Sequence, residues 1–267
     1  MRGMSAVLQR DLRDLLRTNA FRLIAIVFAV VTIGAAVGAC IGLNSWELLE
    51  QELPWDEVNK PMLEIITRII TRLIAYFIIT RLIAYFISFF ALVSFIWAFT
   101  SEPITKEKAD GNIESLLATP LSPRALWIGK SRAVFLPGFI TAVVSTLIVL
   151  LAVNFAVVCP TTGNMVWSTP VLLMGFLINP LLFLSLALLI VLVSLAYSPA
   201  IGLMLSMFLG WGLMFGMGIA SGVGAINLAS WSFTLGYLAG AIVIGAVAFY
   251  LSRSISREKI ILSSKGE

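Results

Sequence analysis

The chain has 267 residues, 60% of them hydrophobic and 12% charged, where an ordinary soluble domain carries about 45–50% apolar and about 25% charged residues. With a mean hydropathy of +1.01 this excludes a soluble globular protein, and the formal net charge of +4 becomes a question of where 18 Lys and Arg and 14 Asp and Glu fall. There is no histidine, which excludes His-ligated haem or zinc, HExxH metalloproteolysis and Ser-His or Cys-His nucleophile pairs, because each needs an imidazole.

The first 22 residues hold five Arg and two Asp. Val7, Leu8, Leu12, Leu15 and Leu16 share one helical face, while Arg10, Arg13, Asp14 and Arg17 share the opposite one. This spacing predicts an amphipathic helix in the headgroup plane, with an ordinary basic flank as the plainer alternative. A membrane span needs about 20 apolar residues, and the first is expected at about 23–43. It exceeds the roughly 7–15 apolar residues of a cleavable signal and follows an amphipathic leader, so it is expected to remain as a span.

Residues 44–81 hold six acids and four bases. Residues 70–78 and 79–87 both read ITRLIAYFI, a tandem copy that in a helix adds about 13–14 Å and turns the face by about half a turn. Arg72 and Arg81 would then point to opposite sides. The second copy runs into the second span, about 82–100, so the first is expected to protrude outward, either as a tolerated duplication or as an outer gate element.

Residues 101–132 form a polar loop with five bases and four acids. Gly111-Asn112 can start a short helix with Ile113, Leu116 and Leu117 on one face beside Glu114, and Pro120 stops it. Ser122 then fits an N-cap with Pro123 in the first helical turn, so a new helix runs through Lys130 into the third span.

The remaining spans are expected at about 133–157, 170–197, 200–221 and 232–252, the fourth and fifth parted only by Ser198-Pro199. Polar groups within them are few. Asn154, Asn179, Pro180 and Ser206 are candidates for a translocation path, although Asn179 equally suits a backbone group freed by Pro180. Gly212 with Gly216, Gly218 with Gly222 and Gly236 with Gly240 are small-xxx-small pairs, expected to serve close packing within the chain or, less commonly, a dimer contact. Trp231 marks an outer interface. Cys40 and Cys159 fall near the outer ends of their spans, where two free thiols or a disulfide are both permitted.

Six spans leave both termini, the 101–132 loop and the 253–267 tail on one side, with 14 of the 18 bases. By the positive-inside rule that side is the cytoplasm. The excess of base is therefore an orientation signal, and no nucleic-acid partner is expected. No acid or base lies within 82–100 or 133–252, where an ion-driven carrier usually keeps one as a relay. An energy source outside the spans is expected.

Glu107, Gly111, Ile113-Glu114, Leu116-Leu117, Thr119-Pro120 and Gly129-Lys130 resemble the E-x3-G-[ST]-[IL]-E-x-L-L-x-[ST]-P…G-K signature of type-2 ABC exporter permeases, the membrane subunits of ATP-binding-cassette transporters. Asn112 stands where Ser or Thr is usual and is expected to cap instead; the tandem copy lies outside the pattern. The resemblance implies one all-α permease domain over residues 1–267, in the cell membrane, with six transmembrane helices and cytoplasmic termini. The short helix would be a coupling helix docked in a groove of a cytoplasmic ABC ATPase subunit. Ile113, Leu116 and Leu117 would be its anchors, Glu114 a polar contact, and Glu107, Gly111, Pro120 and Lys130 the rest of the coupling site; packing of the same residues against span ends is the alternative. A second permease copy or homologue would complete a dimer, moving substrate by alternating access.

Gly129-Lys130-Ser131 is not the end of a phosphate loop, because Arg124 holds the position of the first glycine and no strand precedes it. ATP and magnesium are therefore expected on the partner ATPase, with no catalytic residue, metal or cofactor on this chain. A lipid transferase would need clustered acids or a nucleophile at membrane depth, which the spans lack. A non-transporting membrane assembly or scaffold protein is the remaining alternative.

Overall fold

The computed structural model describes residues 2–17, parts of 21–37, 85–96, 104–155, 159, 165, 167, 169–228 and 230–265. Cys40, the 44–81 segment, the first tandem copy and the later part of the expected first span lie outside the described residues. Among those described the secondary structure is entirely helical: besides an apolar helix over Phe21–Gly34, which falls on the start of the expected first span, it comprises α1 (Arg2–Arg17), α2 (Tyr85–Ile96), α3 (104–109), α4 (Asn112–Ala118), α5 (Pro123–Val153), α6 (Thr169–Ala196), α7 (Pro199–Gly222), α8 (Trp231–Leu251) and α9 (Arg257–Lys265).

Helices α5 to α8 are long and apolar enough to cross a membrane, and they fall on the last four expected spans. Their starts follow from local chemistry. Ser122, Ser198 and Ser230 each place a side-chain oxygen on a first-turn amide, accepting from Ala125, Ala200 and Phe233 at 3.2 Å. Pro123 and Pro199 occupy the first turns of α5 and α7, where a missing N–H costs nothing. Helix α5 is one continuous element of 31 residues. At 1.5 Å per residue it is about 46 Å long, well beyond the roughly 30 Å hydrocarbon layer, so the helix is longer than a span requires.

Helix α6 is the centre. Two thirds of its most apolar window (67%) is buried, against 17% for α7 and 22% for α8. Residues 174–178 within it are wound as a π-turn, so that the Asn179 amide donates to the Met174 carbonyl. Pro180 follows directly, and the shifted ladder accommodates the donor that proline lacks. The Asn179 side-chain amide donates to Ser88 Oγ at 2.6 Å and to the Tyr85 carbonyl at 3.4 Å, tying α6 to α2.

Two apolar clusters organise the molecule. One, at the depth of the long helices, joins Phe89, Leu92 and Phe95 of α2 to Ile178, Phe183 and Leu186 of α6 and Tyr237 of α8. The other gathers at one end: Val7, Ile104, Ile113, Leu117, Leu126, Trp127, Leu195, Ala248, Ile255 and Ile260. Trp127 anchors it, donating from its indole to the Leu188 carbonyl at 2.8 Å and meeting Phe249 edge-on at 5.5 Å.

Of the glycine pairs of α7 and α8, Gly218 packs within the chain as expected, its added Cβ lying 3.4 Å from the Phe86 ring, whereas two pairs do not. A Cβ at Gly212, Gly216, Gly236 or Gly240 would meet open space, because α7 and α8 pack on α6 rather than on each other along these faces. Close approach occurs instead at Gly202, against Ser194 across the α6–α7 turn, and at Gly210, where a Cβ would lie 2.6 Å from Val93. Gly202→Ala is expected to destabilise the protein by about 1–3 kcal/mol through overpacking, and Gly212→Ala by less than about 0.5 kcal/mol; thermal unfolding in detergent measures both.

Candidate functional site

The segment 104–122 forms two short helices and two turns under the end of the bundle. Helix α3 closes when the Asp110 amide donates to the Lys106 carbonyl at 2.8 Å and that of Gly111 to the Lys108 carbonyl at 3.1 Å. Gly111 then turns the chain with φ of 68°, a left-handed conformation that glycine adopts without steric cost. Gly111 itself is the N-cap of α4, so Asn112, expected to cap, is the first helical residue. Thr119 is extended and ends α4 before Pro120, as the proline predicts.

Helix α4 turns its apolar face inward. Ile113 is 1% and Leu117 2% exposed, both within the end cluster against α5, α6 and α9. Spaced four apart, these two share the face that the bundle's own end covers, as in the alternative in which they pack against span ends. Leu116 and Glu114 are half-buried, while Asn112, Ser115, Ala118, Thr119 and Pro120 are exposed. The surface offered outward is therefore the small, polar side of the helix with Leu116 at its edge.

Glu107 and Lys130, singled out separately in the sequence, meet in one ionic cluster. Lys130 Nζ is bonded to Glu107 Oε2 and lies 3.3 Å from Asp11 Oδ2. Arg10 completes it at 3.5 Å from both Asp11 and Glu107. The Lys130 side chain is 7% exposed, Asp11 13% and Glu107 19%. Two cations and two anions so placed neutralise one another and join α1, α3 and α5. Sequence reasoning missed Asp11. Its signal was an acid one turn after Val7, on the inward side of the leader helix, where only a buried cation would explain it.

Helix α1 thus packs on α5 with Val7 buried, Leu8 and Leu12 half-buried, and Arg13, Asp14 and Arg17 exposed, largely as the leader's two faces predict; Leu16 is exposed. Asn154, Asn179, Pro180 and Ser206 are all buried. Asn154 donates to the Leu150 carbonyl and Ser206 to that of Leu203, each within its own helix, whereas Asn179 bridges to α2. Cys159 is a free, half-buried thiol.

A family model described as "ABC-2 family transporter protein" matches residues 5–238. No curated protein and no solved structure matches the chain. The match begins in the first turn of α1, contains the ionic cluster and α4, and ends inside α8.

Truncating one partner of a buried pair leaves the other charge stranded. Lys130→Met and Glu107→Gln are each expected to destabilise by about 3–5 kcal/mol, and the double variant by less than their sum. Thermal unfolding of the four proteins in detergent measures the coupling; strictly additive losses would show that the two side chains act independently.

Proposed function

On the premise that the chain belongs to the ABC-2 family of transporter proteins, and so is a multi-pass permease subunit of an ABC transporter working with an ABC ATPase, we propose that it serves an exporter and that α4 is its coupling helix. In this reading six spans cross the cell membrane, with the termini and 101–132 in the cytoplasm. Two permease halves alternate access as two ATPase subunits close and open. ATP and magnesium bind the ATPase, and this chain contributes no catalytic residue. An uncharged path suits apolar or amphipathic substrates better than small, highly charged ions.

The observation that carries the reading is the double attachment of the 104–122 segment. Ile113 and Leu117 sink into the end cluster, and Glu107 is clamped to Lys130. A close-packed contact is stiff and transmits displacement rather than absorbing it. Force applied to the exposed side of α4 would therefore reach α5 through Lys130 and Trp127, and α6 through Leu188 and Leu195. The surface for the ATPase is Asn112, Ser115, Leu116, Ala118 and Thr119. Ile113 and Leu117 act from inside, by holding that surface in place, and Gly111 and Pro120 set its ends.

Ser115→Arg combined with Ala118→Arg places two long cations on exposed positions and is expected to change the chain's own stability by no more than about 0.5 kcal/mol. Co-purification of the ATPase subunit from detergent-solubilised membranes should fall at least about tenfold, the equivalent of about 1.4 kcal/mol. Undiminished co-purification would remove α4 from the interface.

A further inference from the structure

The 239–267 segment lies beyond the family match, yet its helix α9 touches the coupling region at Lys108, Ile113, Leu117, Thr119 and Leu121. After α8 one 3-10 turn (Ser252–Ser254) and an extended Ile255 fold the chain back beneath the bundle. Ile260 is fully buried in the same cluster as Ile113 and Leu117, so α9 is built into the end core.

Its polar contacts fall on two separate turns. Arg257 Nη2 donates to the Leu121 carbonyl at 3.0 Å and to the Thr119 carbonyl at 3.4 Å, on either side of Pro120. Carbonyls leaving a helix C-terminus lack partners within the helix, and an arginine supplies donors and a favourable charge there. At the other end Ser263 Oγ accepts from Lys108 Nζ at 2.9 Å and lies 3.0 Å from the Leu195 carbonyl. Lys259 Nζ stands 4.1 Å over the Tyr197 ring. Tyr197 and Leu195 belong to the end of α6 and its turn into α7. One nine-residue helix therefore holds the α4–α5 turn with Arg257, and the α6–α7 turn with Lys259 and Ser263.

We propose that α9 is a strut carrying displacement of α4 across to the α6–α7 turn, with Arg257 the positioning residue at its α4 end. This rests on α4 being the ATPase contact. Without the strut α4 stays attached to α5 through the Ile113 and Leu117 packing and the Lys130 cluster, and its movement reaches the second hairpin through the core and through Lys108, whose ammonium also donates to the Tyr197 carbonyl at 3.5 Å. ATP hydrolysis should then continue while the α6–α7 turn responds to it less.

The test uses the full chain with its ATPase subunit in proteoliposomes, in a Cys40→Ser, Cys159→Ser background carrying Ala200→Cys, an exposed position at the start of α7. The rate of N-ethylmaleimide alkylation is compared without nucleotide and after trapping with ATP and vanadate. With Arg257 present trapping is expected to change the rate at least about fivefold. Arg257→Ala should reduce that change at least about twofold while the ATPase subunit still co-purifies and turns over ATP, and Arg257→Lys, which keeps one donor and the charge, should restore part of it. Lys259→Ala combined with Ser263→Ala, which removes both polar contacts at the other end, should give a similar loss. The strut is overturned if both alanine variants keep the full response, if Arg257→Ala releases the ATPase subunit, or if the unaltered protein shows no response. The reading beneath it fails separately, by the ATPase subunit remaining bound to the Ser115→Arg, Ala118→Arg chain.

Discussion

Lys130 is an ammonium taken almost out of water at the point where the longest helix leaves the bundle. Removing an unpaired cation from water costs several kcal/mol, so the position is tolerable only with anions beside it. Those anions arrive on two other elements, Asp11 from α1 and Glu107 from α3. Their presence forces both helices to be docked whenever α5 is folded. The leader, the start of the loop and the root of a long helix thus form one block, and α4, which follows α3 by a two-residue turn, takes its position from that block.

The two ends of the bundle are held by different physics. Between lipid-exposed helices there is little hydrophobic drive, since lipid tails are as apolar as leucine, and packing with a few hydrogen bonds must suffice. The Phe-rich contact of α2 with α6, the Asn179–Ser88 bond and the Tyr85–Tyr237 hydroxyl pair at 3.1 Å are of this kind. The end cluster around Trp127 draws instead on short amphipathic helices whose outer faces are polar, so burying Ile113, Leu117 and Ile260 removes apolar surface from water directly. It can therefore be stiff without relying on the bilayer. That suits a region whose work, in the proposed reading, is to pass mechanical displacement from a soluble ATPase into a membrane bundle.

Much of this was legible from residue order alone. The long apolar runs, the Ser-Pro starts at 122–123 and 198–199 and the glycine before α4 depend on local chemistry: hydrophobic length, a side-chain cap, a backbone angle. The same holds for the two-faced leader and the short helix ending at Pro120. Glu107 and Lys130 could be marked as special, though not as partners. Where the local reading failed, the missing information was directional. A face of Ile113, Leu116 and Leu117 states only that something apolar covers it. Glycines four apart state only that a neighbour could come close, and at Gly212, Gly216, Gly236 and Gly240 no helix among the described residues does.

The sequence by itself determined the class of the protein and where α4 to α8 start and stop, because those depend on neighbours within a few residues. Its excess of base reads as an orientation signal, and with no histidine and no charge within the expected spans the loop at 101–132 carries most of the remaining polar chemistry. Only the tertiary structure decided what that loop touches. It brought Asp11 and Glu107 to one ammonium, turned Ile113 and Leu117 inward and laid α9 across two turns more than 50 residues apart in the chain. Such contacts are chosen by competition among all the faces that could cover one another, and that competition is settled only once the whole end of the bundle is assembled.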